Sequence, residues 1–367
     1  MRSGLVALQP GASRAWRCRD HVPLACPTIE TARFDYHLPA NAIAQTAIEP
    51  RHDARLLDTR DGSDHRFRSL PDLLRPGDLV VLNRTRVRHA RLRGSKVDTG
   101  GVVEALLLGP EGDGRWRALL RPARRLRCGA ELVFGQITAR LESDPVDGVA
   151  SLRLDAGGVA LEDAIRAVGE MPLPPYFQGR LADPERYQTV FGDRIGSAAA
   201  PTASLHLTEQ VLETLTERSI EITMVELDVG LATFRPVSND HIEDHSMHRE
   251  RCAVSEKARR AIAECRKRDG RVVAIGTTVV RALETARSND GLVEAGEWAT
   301  DLYLRPGSAI GVVDLLVTNF HLPRSSLLVL VEAFMGPDWR EAYRTALDRG
   351  YRFLSFGDAM LCERKGR

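Results

Sequence analysis

Residues 271–280 read Arg-Val-Val-Ala-Ile-Gly-Thr-Thr-Val-Val, and they carry the strongest structural signal in the chain. The first five residues form an apolar run that predicts a buried strand, and a helical pattern begins at Val279. Gly276, Thr277 and Thr278 join the two elements. In α/β proteins the free N–H groups at such a helix start bind ligands, although the same turn could equally be an ordinary helix cap. We therefore treat this turn as a candidate ligand site.

Strands and helices continue to alternate on both sides of this turn. The pattern predicts a strand at 79–83, a helix at 208–218 capped by Thr208, a strand at 221–229, a helix at 255–268 capped by Ser255, a strand at 312–317 and a helix at 326–334 capped by Ser325. Alternation of this kind indicates an α/β domain.

The middle of the chain has a different pattern. Short strand-like runs at 102–108, 116–120, 131–134, 137–141 and 150–154 are separated by Gly, Pro and Asp, with no helical segment between them. Several short strands of this kind indicate a small all-β barrel or sandwich. We therefore predict a mixed α/β domain, formed by residues 31–78 and 161–367, that is interrupted by an inserted β-barrel domain at 79–160. Residues 1–30 read as a loose N-terminal extension.

The composition is that of a globular protein, since 43% of the 367 residues are hydrophobic and 28% are charged. No apolar run approaches the roughly 18 residues that a membrane-spanning helix needs, so we expect no membrane contact. The six cysteines include no Cys-x-x-Cys pair, which argues against a zinc ribbon and favours reduced thiols. We expect a cytoplasmic protein.

Charge is distributed unevenly. Residues 84–127 hold twelve Lys/Arg against four Asp/Glu, whereas the whole chain has a net charge of only +1. A basic run is usually a solvated face, but this contrast favours a polyanion partner, and we predict RNA. Alternate spacing places Arg84, Arg86 and Arg88 on one face of a strand. The full set of predicted RNA-binding residues is Arg84, Arg86, Arg88, Arg91, Arg93, Arg121, Arg124 and Arg125.

Other polar segments are candidates for ligand binding. A small-residue loop at 199–208 contains Thr202 and His206, and a loop after a predicted strand contains Asn319, His321 and Arg324. Each also has an ordinary structural explanation, namely a tight connection or a helix cap. The remaining candidates are Arg281, which lies on the helix that starts at the Gly-Thr-Thr turn, and Asp358, which lies in a turn at 355–358.

His241, His245, His248 and Glu250 lie close together in the sequence. Their spacing lacks the i, i+4 histidine pair of a zinc-binding helix, so we predict polar histidines lining a cleft and no metal.

Several common enzyme motifs are absent from the sequence. There is no Gly-x-x-x-x-Gly-Lys-Ser/Thr loop, no Gly-x-Gly-x-x-Gly after a strand and no Gly-x-Ser-x-Gly elbow. A P-loop NTPase, a Rossmann dehydrogenase and an α/β-hydrolase are therefore disfavoured.

The chain resembles the S-adenosylmethionine:tRNA ribosyltransferase-isomerase family of queuosine biosynthesis, in order, over residues 33–362. The motifs that carry the resemblance are residues 34–39 (Phe-Asp-Tyr-His-Leu-Pro), 82–87 (Leu-Asn-Arg-Thr-Arg-Val), 169–176 (Gly-Glu-Met-Pro-Leu-Pro-Pro-Tyr), 199–202 (Ala-Ala-Pro-Thr), 245–250 (His-Ser-Met-His-Arg-Glu), 276–281 (Gly-Thr-Thr-Val-Val-Arg), 318–325 (Thr-Asn-Phe-His-Leu-Pro-Arg-Ser) and 353–360 (Phe-Leu-Ser-Phe-Gly-Asp-Ala-Met).

This resemblance implies an α/β domain with an inserted barrel and transfer of a ribosyl group from S-adenosylmethionine to 7-aminomethyl-7-deazaguanine at the tRNA wobble position. The products would be epoxyqueuosine-tRNA, adenine and methionine, with no cofactor beyond S-adenosylmethionine as co-substrate. We expect a monomer. Two alternatives stay open, a paralogue that acts on another nucleobase or nucleoside and a tRNA-binding protein without catalysis.

Within that resemblance we assign roles to the candidate residues. His206 and His321 are the candidate base and acid, because an ordinary imidazole titrates near neutral pH. Gly276, Thr277 and Thr278 would hold the methionine carboxylate, with Arg281 or Arg324 assisting. The other substrate-binding candidates are Thr202, Asn319, His245, His248 and Asp358.

The chain departs from the family pattern at Asp228, Ala232 and Ser204, where the family has a histidine and two glycines. An anion at 228 would attract a cation and repel a phosphate. We expect a folded protein that binds S-adenosylmethionine, with weakened or redirected use of the usual acceptor.

Overall fold

The computed structural model describes residues 28–178, 181, 183–230 and 236–366. Most of the extension predicted at 1–30 lies outside these residues. Its last residues contact the folded domain, since the Ile29 amide donates to Glu243 over 3.1 Å and Glu30 forms a β-bridge with His241.

The strands in the described residues are numbered in chain order. They are β1 (Arg55–Asp58), β2 (Ser63–Arg66), β3 (Leu79–Asn83), β4 (Thr85–Val87), β5 (Arg91–Lys96), β6 (Val102–Gly112), β7 (Arg115–Arg121), β8 (Glu131–Phe134), β9 (Ile137–Leu141), β10 (Val149–Asp155), β11 (Arg194–Ser197), β12 (Glu221–Leu227), β13 (Glu250–Val254), β14 (Val272–Ile275), β15 (Gly296–Thr300), β16 (Leu315–Asn319) and β17 (Ala359–Glu363). The helices are α1 (Leu70–Leu73), α2 (Leu161–Val168), α3 (Glu209–Glu217), α4 (Glu256–Lys267), α5 (Thr277–Thr285), α6 (Ser326–Met335) and α7 (Trp339–Asp348).

Nine of the described strands form one large sheet, in the order β15-β13-β12-β3-β14-β16-β17-β1-β2. The central strands β12, β3, β14 and β16 are parallel, whereas β17 runs antiparallel to β16 and parallel to β1. Because parallel strands end at the same edge, Leu227, Asn83, Ile275 and Asn319 lie in a row along one edge of the sheet. We call this row the carboxyl edge, which is where α/β proteins bind ligands.

Helices and loops cover both faces of the sheet. Leu79 and Val81 of β3 pack into the cluster that contains residues of α4, α5, α6 and α7. Val80 and Leu82 point to the opposite face and pack with residues of α1 and α3. The alternation follows from the two-residue repeat of a strand, and the continuous apolar run follows from burial on both faces.

The inserted barrel is a closed, antiparallel ring of six strands in the order β10-β7-β6-β5-β8-β9, with its own apolar core. The mixed α/β architecture with an inserted all-β barrel is therefore confirmed. The predicted start of the insertion at residue 79 is wrong, because β3 lies in the middle of the large sheet and the barrel begins at β5. A strand buried on both faces suits a central sheet position better than a small barrel, whose strands alternate between interior and solvent.

Local signals in the sequence are reproduced closely. Thr208, Ser255 and Ser325 cap α3, α4 and α6 through side-chain oxygens that accept amide hydrogen bonds. Helix α5 starts at Thr277, two residues before the predicted position, and β16 ends two residues later than predicted. The strand β5 was missed because its sequence, Arg-Leu-Arg-Gly-Ser-Lys, contributes a single fully buried side chain, Leu92.

A buried ion pair joins the amino ends of two central strands. Asp78 and Arg271 are 1% and 7% exposed, and the Arg271 Nη2 atom donates to Asp78 Oδ2 over 2.6 Å. Burial alone would raise the pKa of Asp78, but hydrogen bonds from Arg271 and from the Arg75 amide lower it. The carboxylate is therefore ionised and depends on its partner.

We predict that Arg271→Met lowers the free energy of unfolding by about 3–5 kcal/mol, because it leaves the Asp78 carboxylate buried without its cation. Chemical denaturation of the two proteins measures this difference. Arg259→Met is the matched control, since Arg259 pairs with Glu256 on the exposed surface of α4 and its loss should not shift the midpoint measurably. Equal midpoints for Arg271→Met and the wild type would contradict the prediction.

Candidate functional site

Asn83 connects the elements that meet at the carboxyl edge. It is fully buried, and its Nδ2 atom donates to the Leu227 carbonyl over 2.9 Å and to Thr278 Oγ1 over 3.4 Å. Its Oδ1 atom accepts from the amides of Leu227 and Thr85. One side chain therefore links the end of β12, the start of α5 and the strand that leads to the barrel. Sequence reasoning did not single out Asn83, although a polar residue that ends an apolar run was a usable signal.

A second polar cluster lies at the end of β16. The Thr202 hydroxyl donates to Asn319 Oδ1 over 2.8 Å. The Asn319 Nδ2 atom faces His206 Nε2 at 3.4 Å and donates to the Asp358 carbonyl over 3.3 Å. The structure thus brings together Thr202, His206, Asn319 and Asp358, which come from three separate segments of the sequence. The site prediction had named all four.

Asp358 serves mainly to hold its own loop in place. It is 1% exposed, and its carboxylate accepts from the amides of Arg55 and Arg352, both over 2.8 Å. Those bonds fix the turn whose backbone carbonyl meets Asn319. Asp358 therefore positions the cluster and does not present its carboxylate to a ligand.

The two candidate catalytic histidines are both buried. His321 is 8% exposed and its Nε2 atom lies 2.9 Å from Thr318 Oγ1, while His206 is 5% exposed and packs on the Phe67 ring. Burial lowers the pKa of each imidazole to about 3, and the positive charge of Arg352 adds to the effect at His206. The expectation of a pKa near neutral pH is therefore wrong, because an imidazole withdrawn from water loses the charged form. Both rings are neutral at pH 7.

The start of α5 has the geometry expected of a strand–turn–helix junction. Gly276 has φ +99°, a conformation that residues with a Cβ rarely adopt, and its amide donates to the Val317 carbonyl over 2.8 Å. A Cβ on Gly276 would meet Ala203, so the small-residue loop lies directly against this turn. Thr277 is buried at the start of the helix.

The two arginines expected to assist this turn differ, since the Arg281 side chain has other partners whereas the buried Arg324 Nε atom has no hydrogen-bond partner among the described residues. Arg281 is 4% exposed, forms a buried ion pair with Glu250 and donates from Nε to the Leu302 carbonyl over 3.1 Å. Arg324 holds a loop through its backbone, since its amide donates to the Phe34 carbonyl and its carbonyl accepts from Val237. Arg281 thus anchors the sheet beside the site.

The histidine cluster divides into two environments. His248 is exposed and lines a cleft between the barrel and the large sheet, whereas His245 packs its ring edge-on against Tyr303. Burial, with a smaller contribution from His248, lowers the pKa of His245. Among the residues that the structure describes, no three His, Cys, Asp or Glu side chains are grouped so that they could hold a metal ion.

Two spaces of very different size adjoin the carboxyl edge. The pocket beside Thr202, Asn319 and His321 has a volume of only about 30 Å³, which is room for one water molecule. Between the barrel and the large sheet lies a cleft of about 760 Å³, which we call the interdomain cleft. Its barrel wall includes Gly109, Arg117 and Asp147, and its other wall is formed by Arg88 and the segments 194–198, 228–230 and 248–251.

The strand that leads into the barrel presents its arginines to acidic partners. Arg84, Arg86 and Arg88 do share one face of β4, since Thr85 and Val87 between them are buried. Each is paired with a carboxylate, as are two arginines of β5. The pairs are Arg84 with Asp193, Arg86 with Glu185, Arg88 with Glu162, Arg91 with Glu104 and Arg93 with Glu170.

Arginines after β7 are different. Arg121, Arg124 and Arg125 are exposed and form no ion pair with any residue in the described part of the chain. Their loop lies beside the turn that forms one wall of the interdomain cleft, because a Cβ on Gly148 would contact Ala123 and Leu119. Arg121, Arg124 and Arg125 therefore lie on a loop that is next to one wall of this cleft.

The structure places two of the three departures from the family pattern. Asp228 lines the interdomain cleft, and the buried Ser204 Oγ atom donates to the Ile275 carbonyl over 3.4 Å, just before the Gly-Thr-Thr turn. Ala232 lies outside the described residues.

A polar carboxyl edge that adjoins a cleft between the large sheet and an inserted barrel defines an α/β protein with a candidate ligand site at the edge of its sheet. The sequence matches the family described as "Queuosine biosynthesis protein" over residues 31–362. The chain belongs to this family.

Curated relatives agree with this assignment. An S-adenosylmethionine:tRNA ribosyltransferase-isomerase from Heliobacterium modesticaldum is 51% identical over 343 residues, which cover 91% of this chain and 99% of the relative. One of the same name from Moorella thermoacetica is 48% identical over 335 residues, covering 89% and 98% of the two chains. A third, from an Anaeromyxobacter species, is 50% identical over 340 residues, covering 90% and 98%.

A solved structure is also similar. The crystal structure of S-adenosylmethionine tRNA ribosyltransferase from Thermotoga maritima has a TM-score of 0.50 and 35% sequence identity, and the match covers 90% of this chain and 99% of that one. In the described part of this chain, no helix combines the length and the apolarity that crossing a membrane requires.

The buried neutral histidines predict a specific acid sensitivity. Their pKa is lowered in the folded state, so the unfolded chain binds more protons below the ordinary value of 6.5 and stability falls as the pH drops through that range. Each imidazole contributes at most about 1.4 kcal/mol per pH unit. Denaturation midpoints between pH 7 and pH 4 should therefore fall less steeply for the double variant His206→Asn, His321→Asn than for the wild type.

The control for this experiment is His37→Asn, which changes an exposed imidazole and should keep the wild-type slope. Parallel slopes for the double variant and the wild type would show that the two rings are not held neutral by burial.

Proposed function

We propose that this chain transfers the ribosyl moiety of S-adenosylmethionine to 7-aminomethyl-7-deazaguanine at the tRNA wobble position and isomerises it to epoxyqueuosine, with release of adenine and methionine. The observation that carries the proposal in structural terms is the interdomain cleft, which brings the carboxyl edge of the sheet face to face with the basic barrel. Its volume of about 760 Å³ is sufficient for a nucleotide.

We assign S-adenosylmethionine to the carboxyl edge, between the start of α5 and the end of β16. The helix start supplies backbone donors for the methionine carboxylate, with Gly276 allowing close approach. Thr202, Asn319 and His321 supply hydrogen-bonding groups for the nucleoside. Because the pocket beside them holds only about 30 Å³, the surrounding loops must move apart when the co-substrate enters.

The proposed chemistry begins at the sulfonium, which acidifies the adjacent C5′ hydrogens so that a base can remove one. The acceptor amine attacks the ribosyl fragment, adenine leaves, and ring closure to the epoxide expels methionine. His206 and His321 remain the proposed pair at this edge, but as neutral rings with a pKa of about 3 they act through hydrogen bonds that orient the nucleoside, and neither is the base. An acid role for an imidazolium is not part of the proposal, since that form is absent at pH 7.

The tRNA is proposed to approach along the barrel, with its backbone on the arginine-rich loop after β7. Arginines already paired with carboxylates carry little net charge, so Arg84, Arg86, Arg88, Arg91 and Arg93 contribute less to phosphate binding than the exposed trio. We further propose that the enzyme works as a cytoplasmic monomer and uses no cofactor beyond its co-substrate.

We predict that the purified chain releases adenine from S-adenosylmethionine only when it is supplied with tRNA carrying 7-aminomethyl-7-deazaguanine. Chromatography of the reaction mixture measures adenine directly, and tRNA with guanine at the same position is the control. The double variant His206→Ala, His321→Ala should lose at least about 100-fold in turnover, because the hydrogen bonds that orient the nucleoside are lost and a misplacement of about 1 Å can cost that much.

Other outcomes separate the alternatives. Adenine release with a different acceptor would indicate the diverged paralogue. Asp228 and Ala232 are departures from the family pattern that would account for such a change of acceptor. Tight binding of tRNA with no adenine from any acceptor would indicate the binding protein. Wild-type turnover in the double histidine variant would show that neither ring takes part in the reaction.

We predict that Arg121→Ala, Arg124→Ala and Arg125→Ala, combined, weaken tRNA binding and flatten its salt dependence. Each lost phosphate contact should reduce the slope of log K against log salt by about 0.7–0.9, because fewer counterions are released. Filter binding at several salt concentrations measures the slope.

The matched control is Arg84→Ala with Arg86→Ala. Both arginines are bound to carboxylates, so the slope should change by less than the roughly 0.7–0.9 expected for the loss of one phosphate contact. A larger change in this control than in the triple variant would place the tRNA backbone on β4 instead of the loop after β7.

A further inference from the structure

Asp228 follows the last residue of β12 and projects into the interdomain cleft. Its carboxylate packs directly on Gly196, where a side chain would overlap it. The Oδ1 atom is buried and has no hydrogen-bond partner among the residues that the structure describes. A buried acceptor without a partner is costly, so a donor or cation that enters the cleft would be stabilised by binding to it.

The other carboxylates that line the cleft are either paired within the protein or solvated by water. Glu250 is ion-paired with Arg281 and also accepts from the Gly230 amide over 2.6 Å. Asp147 is exposed on the barrel wall, where water can solvate it. Within the described lining, Asp228 is thus the carboxylate that is withdrawn from water and has no cation bound to it.

Arginines surround Asp228 without pairing with it. Arg194 and Arg251 both bind Glu226, at 3.2 Å and 2.7 Å, and Arg251 also binds Glu297. Arg88 binds Glu162. These arginines are therefore engaged with other carboxylates, and they leave the Asp228 position open to a cation.

The pKa of the Asp228 carboxyl reflects both its burial and the charges around it. Burial raises the pKa of the Asp228 carboxyl, and the positive charges of Arg251 and Arg194 offset this in part. A carboxylate held partly out of water gains more from a bound cation than one in bulk solvent, because the local dielectric constant is lower.

We propose that Asp228 is the specificity-determining residue of the acceptor site and forms an ion pair with the cationic aminomethyl group of the modified base. The proposal rests on the proposed function, since it identifies the acceptor as a nucleotide that carries a primary amine. A cleft with an exposed arginine, Arg117, on its barrel wall and an unpaired carboxylate on its sheet-side wall complements such a nucleotide, because the arginine attracts a phosphate and the carboxylate selects the amine.

The position of Asp228 favours the acceptor over the sulfonium of the co-substrate. In the order β12-β3-β14-β16, the end of β12 is three strands from Asn319 at the end of β16. Adjacent strands are about 4.8 Å apart, so the two positions are separated by roughly 14 Å. Asp228 also faces the barrel, whose exposed arginines lie on a loop next to one wall of the same cleft.

The ion pair would also prepare the amine for attack. An ammonium group has no lone pair, so one proton must leave before nitrogen can form a bond to carbon. Transfer of that proton to the Asp228 carboxylate gives a neutral amine and a neutral carboxylic acid, with no change in total charge. Burial makes this acceptor more basic than a carboxylate in water.

The test compares the binding of two tRNAs, one with 7-aminomethyl-7-deazaguanine at the wobble position and one with the neutral 7-cyano analogue. We expect the wild type to bind the amine-bearing tRNA at least tenfold more tightly. Asp228→Asn, which keeps the shape of the side chain, should abolish this preference and leave the affinity for S-adenosylmethionine unchanged. Glu221→Gln is the matched control, because it removes a carboxylate at the far end of the same strand.

Each result decides the inference. Equal wild-type affinity for the two tRNAs, or a preference that survives in Asp228→Asn, would overturn it even if adenine release is normal. Loss of S-adenosylmethionine affinity in Asp228→Asn would place the sulfonium there instead and also overturn it. A tenfold gain in turnover on Asp228→His would show a position tuned away from this acceptor. The binding comparison does not depend on turnover. Adenine release therefore tests the proposed reaction, and tRNA binding tests the role of Asp228 independently.

Discussion

The carboxyl edge of the sheet depends on the hydrogen bonds of one buried amide. At this point β12 ends, α5 begins nearby and the chain leaves β3 for the barrel, so several backbone groups would lose their partners together. Asn83 meets them with four hydrogen bonds, to Leu227 through both amide and carbonyl, to Thr85 and to Thr278. An unsatisfied buried group costs about 1–3 kcal/mol, so a residue without both a donor and an acceptor would destabilise three elements at once.

This constraint also orients the barrel. The chain passes from Asn83 through β4, which pairs with β11, and enters the barrel only at β5. Because β4 is held on the sheet side, the barrel has to face the carboxyl edge across the interdomain cleft. The arginines of the basic segment at 84–127 then fall into two groups according to their position. The arginines of β4 and its flanking residues are neutralised by acidic partners, whereas Arg121, Arg124 and Arg125 on the loop after β7 have no ion pair among the described residues.

Much of the fold and of the site could be predicted from local patterns. Caps such as Thr208 and Ser255 act through neighbours in sequence, and the Gly276 turn follows from a conformation that glycine tolerates. The candidate residues Thr202, His206, Asn319 and Asp358 were named from the sequence, but their contacts with one another could not be predicted, since these depend on strand order. The pKa of His321 and the pairing of Arg86 could not be predicted either, because burial and distant carboxylates such as Glu185 decide them. The prediction that the inserted domain starts at residue 79 was wrong, because an apolar run does not reveal which sheet its strand joins.

The pairing of β1 with β17 has a consequence for how the chain folds during synthesis. Leu57 lies beside Met360, so strands from opposite ends of the chain, about 300 residues apart, are neighbours in the sheet. At about 5–20 residues per second, β17 leaves the ribosome roughly 15–60 seconds after β1. The barrel has only local pairings and can close long before that time. The first strand therefore waits with an unpaired edge while the inserted domain is already complete, and that interval is when the nascent chain most needs protection from wrong partners.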